Sequence, residues 1–166
     1  MKKLALLILL MIVAGSLFAQ EKKSKKERQR EQAEKVQKMV ELQDYKFVAQ
    51  RAIPMSMRSV NLTSTYDMRV GNDTISAHLP YYGRAYVAPM DPSEGGVRFE
   101  SKEFDYRIEN AKKGGWIAYI SIKDAKRRIE MVLRITTTGS ASLSVNDDTR
   151  QTISFDGYIE EKTRGK

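Results

Sequence analysis

From Tyr45 onward the apolar residues recur with a period of two, and that alternation constrains the fold more than any other feature. In "RRIEMVLRITT", Ile129, Met131, Leu133 and Ile135 share one side, while Arg128, Glu130, Val132 and Arg134 share the other. Successive side chains of a strand point to opposite faces, so such a run buries one face and solvates the other. "STYDMRV" sets Tyr66, Met68 and Val70 against Asp67 and Arg69. "EFDYRIE" sets Phe104, Tyr106 and Ile108 against Asp105, Arg107 and Glu109. "ASLSV" alternates Ala141, Leu143 and Val145 with serines. Between the runs stand "GND", "NAKKGG", "KDAK", "TGS" and "NDDTRQ", short stretches rich in turn-forming residues. Short turns force antiparallel neighbours. The pattern predicts an all-β domain over residues 45–161, an antiparallel meander of about eight or nine strands. Such a meander closes into a small lipocalin-like barrel or folds as a two-sheet sandwich. Gly157 stands where an inward side chain is due, which predicts a bulge or the close approach of another strand.

The residues before Tyr45 follow different rules. Lys2 and Lys3, the apolar run Leu4–Ala14, and the small residues Gly15, Ser16 and Ala19 have the layout of an export signal. The run is shorter than the roughly 20 residues a membrane-spanning helix needs. Residues 1–19 are therefore expected to be a signal peptide cleaved near Ala19, which makes the protein periplasmic or secreted. The chain has no cysteine. It can form no disulfide, thiolate metal site or acylated lipoprotein terminus, and a cysteine nucleophile is excluded. Residues 20–44 contain no glycine or proline and are rich in helix formers, which predicts a charged N-terminal α-helix. Glu31 with Lys35 and Glu34 with Lys38 are spaced for i to i+4 pairing. Ala33, Val36 and Val40, with Met39 beside them, make a narrow apolar stripe that can dock over an end or edge of the β domain. Residues 162–166 form a short tail.

The formal charge is +8, and it is spread among acids along most of the chain. An exported protein meets little nucleic acid, so none is expected as a partner. An anionic membrane surface could be touched by the basic helix through residues 22–38. The chemistry the chain can carry is restricted. His78 is the sole histidine, and strand alternation puts it on a polar face beside Ala77, away from any G-x-S-x-G elbow. No metal or other cofactor is expected. The acid pairs Asp91 with Glu94 and Asp147 with Asp148 lie in turn-like sequence, where aspartate bends the backbone more often than it catalyses. Asp73-Thr74-Ile75 has the form of an O-glycosylation acceptor at Thr74, with ordinary turn chemistry as the plainer reading. One stretch stands apart. "HLPYYGRAYVAPMDPSEGG" (78–96) interrupts the alternation and gathers Tyr81, Tyr82, Arg84 and Tyr86. Tyrosine and arginine dominate binding hot spots and stack on planar ligands. These four are the candidate ligand-binding residues. In the structural alternative Pro80 ends a strand, Gly83 bends the chain and the tyrosines plug the barrel end.

The order of landmarks also resembles a family found in Gram-negative bacteria, the domain of unknown function DUF4251. The resemblance rests on "LPYYGRAYVAP" (79–89), a glycine pair ahead of "VRFESKEFDYRI" (97–108), and "GSASLSVNDDTRQTISFDGYI" (139–159), and covers roughly residues 45–160. The family implies no activity, cofactor or catalytic residues. Some of its members look like lipoproteins, whereas this chain lacks the cysteine they use. The residues and the resemblance together lead to the expectation of a non-enzymatic binding or interaction module of the cell envelope. Its ligand would be a lipid, a glycan or a protein. A structural or inhibitory protein that docks through an outer face or the basic helix is the alternative, and a carboxylate-based hydrolase is a third.

Overall fold

The computed structural model of the protein describes residues 24–86, 95–125 and 127–162. The expected signal over residues 1–19, the acids Asp91 and Glu94, and most of the tail 162–166 lie outside the described residues. Helix α1 (Lys25–Glu41) starts at Ser24, whose Oγ accepts the Glu27 N–H at 3.2 Å beside the Ser24 carbonyl that the same N–H reaches at 3.0 Å. It stops at Gln43, whose φ of 49° is left-handed. There Asp44 N donates to Met39 O and Gln43 N to Val40 O, closing the last turn. The C-terminal end of the helix thus falls three residues short of the expected residue 44, while residues 20–23 lie outside the described residues. Val36, Met39 and Val40 are buried, as the apolar stripe requires. Lys35 reaches Glu161, 3.2 Å away, so the helix draws on a tertiary ion pair and not solely on its own acids.

Nine strands follow: β1 (Tyr45–Pro54), β2 (Val60–Val70), β3 (Ile75–Leu79), β4 (Val97–Ser101), β5 (Phe104–Asn110), β6 (Trp116–Ile122), β7 (Ile129–Ile135), β8 (Ser140–Asp147) and β9 (Ile153–Glu160). They form one antiparallel sheet in the order β4-β3-β2-β1-β9-β8-β7-β6-β5. The first and last strands pair with each other, so the two edges fall in mid-chain, at β4 and β5. Alternation along the sheet makes β4 and β5 run the same way, and only Lys102 and Glu103 separate them. They are two halves of one bent strand, the first paired with β3 and the second with β6. The bend brings the sheet nearly closed on itself as a barrel. Asp124 holds it: Ser101 Oγ donates to Oδ1 at 2.5 Å and Lys102 N to Oδ2 at 3.3 Å.

Inward side chains of the strands, among them Phe47, Met68, Leu133, Leu143 and Phe155, join Val36, Met39 and Val40 in one contiguous core. Each such side chain contributes roughly 1.5–3 kcal/mol on burial. Tyr45 is fully buried within it and shares a 3.1 Å hydroxyl contact with Tyr106 of β5, which ties the first strand to an edge strand. The face predicted inward on β5 is only partly so. Phe104 and Tyr106 are half-buried and Ile108 is 37% exposed, because an edge strand is covered from one side alone. Of the two alternatives at Gly157, the close approach is found there, and the bulge lies opposite it on β1. The β1–β9 register shifts between Ala49 and Arg51, and a Cβ on Gly157 would lie 1.9 Å from Val48 O. On β2, residues 62–65 bulge opposite the same shift.

Candidate functional site

Register decides which loops share an end of the sheet. Pro54 pairs with Ile153, Ile129 with Asp147, and Ile122 with Ile129. The β1–β2, β6–β7 and β8–β9 loops therefore gather at one end, with the segment after β3 beside them. The β7–β8 turn lies at the opposite end. There Gln32 Nε2 of α1 donates to Thr138 O, so residues 31–41 of the helix belong to that opposite end.

The floor of the loop end is a buried charge cluster. Asp147 is 3% exposed and Arg150 is 5% exposed. Asp147 Oδ1 accepts both Thr149 N (3.0 Å) and Thr149 Oγ1 (2.7 Å). Its Oδ2 lies 2.8 Å from Arg127 Nε but off that nitrogen's N–H direction, so the attraction there is coulombic and not a hydrogen bond. Arg150 Nε sits 4.0 Å from the same oxygen, and Arg150 Nη1 donates to Gly96 O at 3.1 Å. A Cβ on Gly96 would strike Leu79 O at 2.5 Å, so only glycine lets this carbonyl approach β3 so closely.

The four candidate residues are divided by this floor. Tyr81 lies in it: the Arg150 guanidinium stands 5.1 Å over its ring, and its hydroxyl is shared between Arg84 O (3.0 Å) and Gln151 O (3.1 Å). Burial pushes the Tyr81 phenol above its ordinary pKa. Tyr82 is half-buried against the core. Arg84 and Tyr86 are exposed, Tyr86 by 65%. Their backbone joins the β8–β9 turn as an added ribbon: Ala85 bridges Arg150, Tyr86 N donates to Thr149 O at 2.8 Å, and Gln151 N donates to Arg84 O at 3.2 Å. Tyr81 and Tyr82 thus take the plug role, and Arg84 and Tyr86 face water.

The structure adds a neighbour that the sequence reading passed over. Gln151 Oε1 accepts Ser56 Oγ at 3.2 Å and Arg84 N at 3.4 Å, so one amide links the β1–β2 loop to the Arg84–Tyr86 ribbon. Beside Ser56, Met55 is 73% exposed and Met57 is 59% exposed. With Ile53 and Tyr86 they bring four of the large exposed apolar side chains to this rim. The available signal was "IPMSMR", in which a proline ends a strand and two methionines follow where turn residues are expected.

The remaining candidates are dispersed. Asp148 is exposed while Asp147 points inward, so the adjacent acids do not converge on one cleft. His78 is exposed on β3, with Arg98 Nη2 at 2.7 Å from Nε2 and the Tyr66 ring 5.5 Å away. A guanidinium cannot accept, so in this contact Arg98 is the donor. Thr74 is half-buried and its carbonyl accepts Gly71 N, which is turn chemistry. Among the described residues no three His, Asp or Glu side chains stand together as metal ligands, and no helix is long and apolar enough to cross a membrane.

A nearly closed antiparallel sheet with a helix over one end and a plugged rim at the other defines a small all-β module. The chain belongs to the DUF4251 family, a domain of unknown function, whose model matches residues 27–159. Among solved structures it is similar to the crystal structure of a DUF4251 family protein from Bacteroides eggerthii DSM 20697 at 1.95 Å resolution. The two share 15% identity with a TM-score of 0.59, over 78% of this chain and 87% of the other. No curated protein matches the sequence.

Proposed function

We propose that the protein is an exported, non-enzymatic interaction module of the cell envelope, periplasmic or secreted, that engages its ligand through the rim formed by Met55, Met57, Arg84 and Tyr86. One observation carries the reading. Gln151 cross-links two separate loops, and both display large apolar side chains to water, an arrangement that costs solubility and gains nothing for the core. Contact through the rim also suits an interior whose inward side chains form one continuous core. The engagement of Asp147 with its two arginines supports a binding role over hydrolysis at the Asp147–Asp148 pair.

The test is photo-crosslinking in the native cell envelope. A photoreactive side chain is placed at position 57 or 86, with position 134 on β7 as a control outside the rim. Discrete adducts enriched at 57 and 86 are the expected result. Adduct yields no higher than at 134 would remove the rim from consideration.

A further inference from the structure

A strand at the edge of a sheet presents a row of unpaired backbone donors and acceptors. β5 is such an edge over seven residues, and among the described residues β6 is its only strand partner. Lys123 N donates to Glu103 O and Ala111 N to Gly115 O, so Glu103, Asp105, Arg107, Glu109 and Ala111 are the residues that bond toward β6. The N–H and C=O groups of Phe104, Tyr106, Ile108 and Asn110 point the other way. β4, the opposite edge, is shorter and tied at both ends. Arg127 and Arg150 reach Gly96 O ahead of it, and Asp124 holds Ser101 and Lys102 at its close. β5 contains no proline and its register with β6 is unbroken, so neither a ring nor a bulge blunts it. Its outer face alternates in sign through Asp105, Arg107 and Glu109, and Ile108 between them is 37% exposed.

We infer that β5 pairs with β5 of a second copy of this chain, antiparallel about a two-fold axis at Ile108. Charge complementarity selects both the occupant and the register, since opposite charges facing across strands stabilise and like charges do the reverse. With the axis at Arg107, Arg107 faces its own copy and Asp105 faces Glu109, like against like. With the axis at Tyr106, Asp105 faces Arg107, but Glu103 faces Glu109. With the axis at Ile108, Arg107 faces Glu109 on both sides, Asp105 faces the small Ala111, and the exposed Ile108 is covered by its copy. Arg107 already pairs with Glu109 of its own strand and stands 4.5 Å over the Tyr119 ring. In the dimer the two arginines and two glutamates therefore alternate in sign around the axis. The copies run in opposite directions, so their loop ends point apart, and none of the rim residues takes part in the contact.

The experiment is sedimentation equilibrium over a dilution series, with protein recovered from its native cells in the form the cells accumulate. A dimer that dissociates on dilution is expected. R107E sets glutamate against glutamate on both sides of the axis and is expected to weaken the dimer by about tenfold or more. R107E/E109R restores opposite signs and is expected to return to within about threefold of the parent. I108P removes an outward N–H, leaves the bonds to β6 in place and is expected to be monomeric. The chain has no cysteine, so a single introduced one reports its own neighbour. I108C is expected to oxidise to a linked dimer, since residues facing across the axis stand about 5.5 Å apart at Cα, within disulfide reach. R107C mixed with E109C is expected to link, and R107C alone is not, because its own copy lies on the longer diagonal. A monomer at every concentration overturns the inference, as does a dimer that R107E and I108P leave unchanged. Should I108P fail to fold by circular dichroism, the charge reversal and its rescue decide. Crosslinks from position 108 to a different protein, with the chain itself monomeric, also overturn it. The rim is judged separately by the adducts at positions 57 and 86, so either reading can fail without the other.

Discussion

Tyr45 is buried with its hydroxyl against Tyr106, and its pKa stands well above the ordinary value, chiefly from burial and then from Tyr106. Burial likewise raises Tyr106. Below a pH of about 10 both phenols are neutral, folded or unfolded, and their burial costs nothing in protons. Above it the unfolded chain ionises first, so stability falls as pH rises, by up to about 1.4 kcal/mol per pH unit for each such phenol. Tyr45→Phe is expected to shallow that alkaline slope in denaturant titrations and to leave stability at neutral pH within about 1 kcal/mol. Gly157 tests the β1–β9 contact: Gly157→Ala forces a methyl into Val48 O and is expected to cost about 3 kcal/mol, read as a lowered Tm. Asp147→Asn removes the buried carboxylate charge that both Arg127 and Arg150 approach. A loss of about 3–5 kcal/mol is expected in the same measurement.

Among the elements, the strands were legible and the corner between them was not. The inward faces of β7 and β8 follow directly from alternation, and extending Ala141, Leu143, Val145 by two residues even places Asp147 inward. What alternation could not say is that an inward acid would find Arg127 and Arg150, because a turn resets the count on each side. Nor could it show that β4 and β5 are halves of one strand. Local sequence marks a pause at Lys102–Glu103, whereas the pairing of each half depends on β3 and β6. The hydrogen bond from Ser101 lowers the Asp124 pKa, so its contribution is present above the ordinary carboxylate pKa and is lost as pH falls through the folded value. Asp124→Asn is expected to erase that acid-limb dependence. Amide hydrogen exchange should then quicken at Lys102, whose N–H loses its carboxylate acceptor.

For the whole molecule, the expectation with the widest consequences is export. An intact mass measured on protein from the native envelope should match a chain beginning at or near Gln20. A mass retaining residues 1–19 would return the apolar leader to the working protein and change every argument about the membrane. The candidate site was half legible in the sequence. Tyr81, Tyr82, Arg84 and Tyr86 were singled out together as unusual in composition. Their separation into two plugging and two exposed side chains follows from Arg150 and Gln151, more than sixty residues away along the chain. Met55 and Met57 escaped notice because an apolar residue after a strand reads as core until its neighbours are known. The sequence by itself determined the strands, their inward faces and the helix that covers one end, since these follow from local periodicity and backbone chemistry. Only the tertiary structure decided where the sheet has its edges, which charges are buried and which loops meet. Those outcomes depend on pairings between residues far apart in the chain, and no local pattern encodes them.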